Sequence, residues 1–314
     1  MAQPNTTEVA DVVVVGAACL DIKGRIAGDV VAGTSNPGDV RISVGGCARN
    51  VAENLARLGM PTALLSVVCQ DDFGHIIVQQ TERAGVNTDH MLMSCEQHSA
   101  AYMALLGAGG ALVVGIDDTA AVAALTPGYI HDHAELLAQA RMVVIDANVP
   151  LPAAEALLAI CGAAGVPVAL DPVAYGLAVR YRELIGAFYL AVPNAVEAQA
   201  LTGLPVSTPQ QGALAAKQLI AQGVEIAIIT LGLDGLVYAT ADSSGYVPAL
   251  KVEAVDPTGA GDALTAAVVY ALLNDIPVDD AVRLGVSAAT LTIDSADTVR
   301  QDLSLESLYA QLVI

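Results

Sequence analysis

The stretch DPTGAGDALTAAVVYALL (residues 256–273) sets a turn of small residues directly against an apolar helix, with one acid, Asp262, at the join. The start of a helix carries unpaired backbone N–H groups and the positive end of the helix dipole, so it is a seat for an anion. Gly259, Ala260 and Gly261 have almost no side chain to hold a phosphate away from those N–H groups. An acid where a phosphate should sit is electrostatically out of keeping unless it takes a proton from an attacking hydroxyl. The combination reads as phosphoryl transfer, with Asp262 as general base and the backbone of residues 259–261 as an anion hole. The bland alternative is an ordinary helix start in which Asp262 complements the dipole.

Outward from this turn, strand and helix signals alternate along most of the chain. The apolar runs DVVVVGAACL, ALLSVVC, MVVIDAN, PVALDP, IAIITLG and FYLAVP are each far shorter than the ~20 residues that span a bilayer. They suit parallel strands buried on both faces. Strands are predicted over 12–16, 62–68 and 225–230, and helices over 46–58, 73–84, 151–164, 260–273, 278–293 and 303–312. Residues 99–115 read as a hairpin around GAGG, and 236–240 with 246–250 as an antiparallel pair. The expected fold is α/β: one domain over residues 1–314, a doubly wound, mostly parallel sheet with helices on both faces. Residues 23–44 and 95–115 break the rhythm and predict a small β-sheet projecting as a lid.

Bulk composition narrows the function. A net charge of -20 with 13 Lys+Arg and 4% aromatic residues repels nucleic-acid backbones and offers no stacking platform. With only Lys23, Lys217 and Lys251 present, bound nucleotide phosphates would depend on Mg²⁺ and backbone dipoles. The N-terminus MAQPNTTEVAD has neither the basic patch nor the apolar core of an export signal. Five cysteines, an odd number with no CxxC pair, fit reduced thiols in a cytoplasmic protein. No partner membrane is expected, and the five histidines form no metal-ligand pattern.

A second constellation is GGCARNVAENLARLG (residues 45–59). Gly45 and Gly46 let a ligand approach the backbone, and Asn50 can donate to a hydroxyl; the bland alternative is a turn before an amphipathic helix. With DPTGAGD some 210 residues downstream, the chain resembles the ribokinase-like (PfkB) carbohydrate kinase family. The resemblance runs from about residue 11 to the C-terminal helix. It implies that Asp21, in VVGAACLDIKG, binds sugar hydroxyls beside Gly45, Gly46 and Asn50, with Lys23 reaching the same pocket. A carboxylate accepting two neighbouring O–H donors suits a diol. VPNAVEAQALTG resembles the family's Mg²⁺- and phosphate-organising NxxE motif, with Asn194 at the nucleotide and Glu197 on Mg²⁺ through water. The alternative there is a polar helix start. ITLGLDG (residues 229–235) resembles the ATP loop, placing Thr230, Gly232 and Gly235 near the phosphates with Thr258, Gly259 and Gly261. Asp256 and Thr258 match positions that line a monovalent-cation (K⁺) site in several relatives, or else shape the turn. Pro257 departs from the family pattern; it fixes φ and removes an N–H ahead of the cradle.

For the acceptor, TSNPGDVRISVGGCARNVAENLARLG (residues 34–59) resembles pseudouridine kinases more than ribokinases or fructokinases. Thr34, Ser35 and Asn36 would then read the imide edge of a uracil, although Asn-Pro-Gly is strong turn chemistry whatever it faces. The expected activity is transfer of the ATP γ-phosphate to the 5′-hydroxyl of pseudouridine. Another sugar or nucleoside kinase of ribokinase, fructokinase or adenosine/inosine-kinase type is the alternative. A non-catalytic ligand-binding protein on this fold would be expected to lose the base or the cradle. A nicotinamide-dependent oxidoreductase would need GxGxxG after the first strand, which VVGAACLD lacks. Unpaired lid edges favour a homodimer through the lid.

Overall fold

The computed structural model describes residues 10–94, 98–110, 112–252, 256–295 and 297–312. Its strands, in chain order, are Val12–Val15 (β1), Cys19–Ile26 (β2), Gly38–Gly45 (β3), Thr62–Leu65 (β4), Val67–Cys69 (β5), Leu92–Ser94 (β6), Ala101–Leu106 (β7), Leu112–Asp118 (β8), Met142–Asp146 (β9), Val168–Asp171 (β10), Leu190–Ala191 (β11), Ile226–Thr230 (β12), Leu236–Ala239 (β13) and Ser244–Val247 (β14). The all-valine β1 shows why the large sheet is parallel. Every one of its side chains is fully buried, which requires cover on both faces, and β-branched residues favour the extended backbone.

The large sheet runs β14-β13-β12-β11-β10-β9-β1-β4. Strands β4 to β12 of that order pair in parallel, and β13 and β14 add an antiparallel edge. Alternation along β1 feeds two cores. Val13 and Val15 pack with Ile145, Leu157 and Leu170; Val12 and Val14 pack with Leu55, Leu64 and Val268. Helix Leu151–Ala164 covers the first face, and helices Cys47–Arg57, Ala260–Leu273 and Val278–Ile293 cover the second. The doubly wound α/β expectation therefore holds. Among the described residues no helix is long and apolar enough to cross a membrane.

A four-stranded sheet, β3-β2-β7-β8, forms separately. It begins at Cys19 rather than at residue 23, so Asp21 lies inside a strand of the small sheet. The hairpin expected around GAGG is β7 with β8. Residues 95–97, including Cys95, and residue 111 lie outside the described residues. Side chains alternate across this sheet. Asp21 and Lys23 share one face with Ser43, Arg41 and Tyr102; Ile22, Ile42, Met103 and Ile116 share the other.

Two local expectations change. The strand predicted over 62–68 divides at Ser66, whose hydroxyl donates to the Gly16 carbonyl at 2.6 Å. That bond turns the chain out of the large sheet, and β5 pairs instead with β6. The last helix is shorter than predicted, Leu305–Gln311, because Ser304 and Ser307 close a capping box at its start.

Candidate active site

Parallel strands present their carboxyl ends along one edge, where such sheets place ligands. That edge here carries Gly16 after β1, Asp146 ending β9, Asp171 ending β10, Asn194 after β11 and Thr230 ending β12. Asp146 organises the first part. Its Oδ2 accepts the N–H groups of Ala17 at 2.8 Å and Ala48 at 3.1 Å, and its Oδ1 accepts that of Asn148 at 2.9 Å. One carboxylate thereby ties the turn after β1 to the start of helix Cys47–Arg57. Gly46 caps that helix at φ 95°, and a Cβ there would run into the Ala17 carbonyl oxygen. Only glycine fits so close a crossing.

The helix so placed aims Asn50 at Asp262. The Asn50 Oδ1 accepts from Arg49 Nη1 at 2.8 Å, so its amide group faces the other way and Nδ2 donates to Asp262 Oδ2 at 2.7 Å. Arg49 is itself fixed: Nη1 donates to the Val44 carbonyl at 2.9 Å, and the guanidinium pairs with Glu53, which Arg57 also holds at 2.6 Å. Burial lowers the Arg49 pKa to about 10, against the pull of Asp21 and Cys19, so the group stays charged at neutral pH.

Asp262 is buried. Burial pushes its carboxyl up to about 7, the Asn50 hydrogen bond and Arg49 oppose, and Asp146 and Asp21 add to the rise. A carboxyl that ionises near neutral pH is suited to take and return a proton. Helix Ala260–Leu273 starts from Gly259 at φ 83°, where a Cβ would strike the Thr298 carbonyl oxygen. The Ala260 N–H turns to the Pro257 carbonyl at 3.3 Å. Of the three residues expected to form an anion cradle, Ala260 thus has its N–H engaged within the turn, and the space where a Gly261 side chain would stand is open for 4 Å.

Two acids were not singled out in the sequence. Asp146 and Asp171 each end an apolar run, in MVVID and PVALD, and a charged residue closing a buried strand is the signal that marks them. Burial holds the Asp171 pKa well above the carboxylate range, and Asp262 and Glu197 raise it further. Ligand atoms of Asp171, Asp262 and Cys47 lie within 4.8 Å of one another. Burial and Asp262 keep the Cys47 thiol protonated, so it packs and does not react.

Asn194 and Glu197 form a full capping box on helix Ala195–Thr202: Asn194 Oδ1 accepts the N–H groups of Val196 and Glu197 at 2.9 and 3.0 Å, and Glu197 Oε2 accepts that of Asn194 at 2.9 Å. The polar helix start that the sequence also allowed is formed by these two residues. Burial raises the Glu197 pKa against these bonds. The Thr230 N–H donates to the Pro193 carbonyl at 3.0 Å, which sets the loop containing Gly232 and Gly235 beside this helix start. Asp171, Glu197 and Asp262 hold no hydrogen bond from lysine or arginine among the described residues. Buried carboxyls lacking counter-charge fit a divalent cation.

Asp21 is buried on β2, accepts the Cys19 thiol at 3.3 Å, and has its pKa raised by burial. Gly45 pairs with Cys19 at the end of β3. Lys23 shares one face of β2 with Asp21, and its Nζ donates to Asp256 Oδ2 at 2.7 Å and Thr258 Oγ1 at 3.0 Å. The carboxylate expected to line a monovalent-cation site therefore already has a cation. Burial works to raise the Asp256 pKa, but the bonds from Lys23 and Thr258 bring it below the ordinary value. Thr34 and Ser35 are exposed. Asn36 is spent on its own turn, accepting the Val31 N–H at 2.9 Å and donating to the carbonyls of Val31 and Thr34 at 3.0 and 3.1 Å. It does not present a free amide for a uracil edge, because the turn that it nucleates uses both ends.

Known proteins resemble this chain over nearly all of its length. The model of the pfkB family carbohydrate kinases matches residues 9–303. Pseudouridine kinase of Escherichia coli (strain K12) is 31% identical over 298 residues, covering 95% of this chain and 95% of that protein. Guanosine-inosine kinase of Exiguobacterium acetylicum is 29% identical over 290 residues, 91% of this chain and 95% of that one. Among solved structures, a carbohydrate kinase from Agrobacterium tumefaciens superposes with a TM-score of 0.84 at 28% identity, covering 96% of each chain. Arabidopsis thaliana ribokinase complexed with ribose and ATP gives 0.85 at 23% identity, over 98% of this chain and 100% of that one, and shares the fold.

Proposed function

The chain belongs to the pfkB family of carbohydrate kinases, and from that premise we propose that it transfers the γ-phosphoryl group of ATP to the 5′-hydroxyl of pseudouridine. The observation that carries the chemistry is Asp262: a buried carboxyl titrating near neutral pH, oriented by Asn50, at a helix start whose next glycine leaves open space. The acceptor oxygen attacks the γ-phosphorus in line, forming one P–O bond as the bond to the bridging oxygen of ADP breaks. Asp262 receives the hydroxyl proton, and the glycine N–H groups of the turn face the charge that develops on the transferred group.

Mg²⁺ brought with the nucleotide would neutralise phosphate charge, and Asp171 and Glu197 are the carboxyls that suit it. Asn194 and Thr230, joined across adjacent strand ends, border the nucleotide side. Asp21 and Asn50 are the groups suited to ribose hydroxyls, a carboxylate for two donors and an amide for one acceptor. The small sheet acts as the lid that keeps water from the phosphoryl group. The choice of pseudouridine is supported by the 31% identical relative and by the TSNPG turn, on which Thr34 and Ser35 remain available to a base.

The test is an ADP-release assay with pseudouridine, uridine, inosine, adenosine, ribose and fructose. Pseudouridine should lead in kcat/KM by at least ~10-fold, the lower end of the discrimination that modest differences in pocket contacts supply. Preference for inosine would move the acceptor to the purine nucleosides, in line with the guanosine-inosine kinase relative. Preference for a free sugar would overturn the nucleoside assignment.

A further inference from the structure

Lys23 is one of three lysines in a chain of net charge -20, and it stands in the site with no part in the chemistry above. Its ammonium bridges Asp256 and Thr258 across 233 and 235 residues of sequence. Asp256 Oδ1 in turn accepts the Thr258 N–H at 2.9 Å. One ammonium, one carboxylate and one hydroxyl thus close the turn that runs through Gly259 to Asp262. The Lys23 and Asp256 side chains are only 15% and 23% exposed, so the pair is largely shielded from screening. A second cation on the same carboxylate would face the ammonium directly. The residues present do not fit a dissociable K⁺ as well as Lys23.

We infer that Lys23 is a tethered cation: its ammonium takes the place of a monovalent ion at the 256–258 turn and fastens the anion seat to β2, the strand that also carries Asp21. The role rests on the kinase reading above. Lys23 touches Asp256 and Thr258, not the reacting atoms, so it is a positioning residue. A covalently held cation needs no recruitment from solution, and its position is set by the same strand that holds the acceptor. Because Asp21 and Lys23 lie two residues apart on one face of β2, movement of the small sheet at one end is felt by the turn at the other.

The experiment compares KCl with choline chloride at constant ionic strength for wild type, Lys23→Ala and Lys23→Met. Melting temperature without nucleotide and ADP-release kinetics are read for each. Wild type should be indifferent to the choice of salt in both. Lys23→Ala should lose at least ~10-fold in kcat in choline, with a smaller change in the nucleoside KM, as expected when a group fixing the reacting geometry is removed. KCl should restore its kcat and raise its melting temperature. Lys23→Met, which fills the space with an uncharged stem, should stay slow in either salt.

Activation of wild type by K⁺ would overturn the inference, as would a Lys23→Ala enzyme equal to wild type in choline. A Lys23→Ala enzyme impaired alike in both salts would also overturn it, by reducing Lys23 to a packing role. If Lys23→Ala does not fold, the wild-type salt response and Lys23→Met still decide. The melting response needs no substrate, so it judges this inference even if the assigned acceptor fails.

Discussion

Asp262 is charged with two tasks that its surroundings put in tension. Burial makes its ionised form costly, and one amide from Asn50 makes that form tolerable. The acid limb of kcat/KM should therefore lie near pH 7 in the free enzyme. Asp262→Asn should lose at least ~10²-fold in turnover, the range for removing a general base, while still binding substrate. The same substitution has a stability signature. A folded-state pKa raised above the unfolded value favours the protonated form in the fold; that stabilisation is full below the ordinary carboxylate range and is lost as pH rises through about 7. Asp262→Asn is neutral throughout, so it should melt higher than wild type at about pH 8, with the gap closing toward about pH 4. Differential scanning calorimetry across that range reads the sign directly. Asn50→Ala removes the bond that lowers the Asp262 pKa, and should move the acid limb to higher pH as well as slowing turnover.

At this scale, what the sequence revealed was whatever local chain chemistry decides. Asp262, Gly259, Gly261 and Asn50 stand in turns and helix starts whose residue types announce an anion and a base. Asp146 and Asp171 carry only the general mark of an acid closing an apolar run, and the order of β9 and β10 in the sheet is what brings them to the site. The Lys23–Asp256 pair joins residues 233 apart and has no local sign. Asn36 illustrates the reverse: a side chain read as available to a ligand is consumed by its own turn.

Elements enter through their ends. Helix Ala260–Leu273 begins on a left-handed glycine pressed against the Thr298 carbonyl. Gly259→Ala should destabilise by about 1–3 kcal/mol, the cost of forcing a side chain into that backbone conformation, plus whatever the clash adds. Chemical denaturation measures it. At the NxxE helix, Asn194→Ala should cost ~1 kcal/mol of stability through the lost cap. Glu197→Gln keeps an acceptor for the Asn194 N–H and should chiefly raise the Mg²⁺ concentration needed for half-maximal ADP release. Helices 260–273 and 278–293 were legible to the residue from their apolar runs. The strand over 62–68 was misread as one piece because its break depends on Ser66 meeting Gly16, a contact between elements and not a property of either.

Across the whole molecule, the alternation of buried runs and helices was enough to predict the parallel sheet, since only strands covered on both faces can be so apolar. The small sheet was harder to bound. Its strands alternate weakly, and β2 follows β1 so closely that the lid was read as starting at residue 23 rather than at Cys19. The outer face of that sheet is apolar and open: Val40, Ile42, Met103, Val114 and Ile116 are 71%, 62%, 49%, 51% and 59% exposed. In a chain of net charge -20, an uncharged face of that kind is where a second copy can approach without repulsion. Light scattering after size exclusion should give twice the 31.9 kDa chain mass for wild type and the single mass for Ile42→Asp with Ile116→Asp. A wild-type monomer would remove the dimer from this account.

The central claim is tested most directly by phosphorus NMR of a reaction containing ATP, Mg²⁺ and pseudouridine, run with wild type and with Asp262→Asn. The account predicts a 5′-monoester resonance growing with ADP in wild type and growing at least ~10²-fold more slowly in the variant. Phosphate released only as the inorganic ion, or a variant that forms the monoester at the wild-type rate, would contradict it.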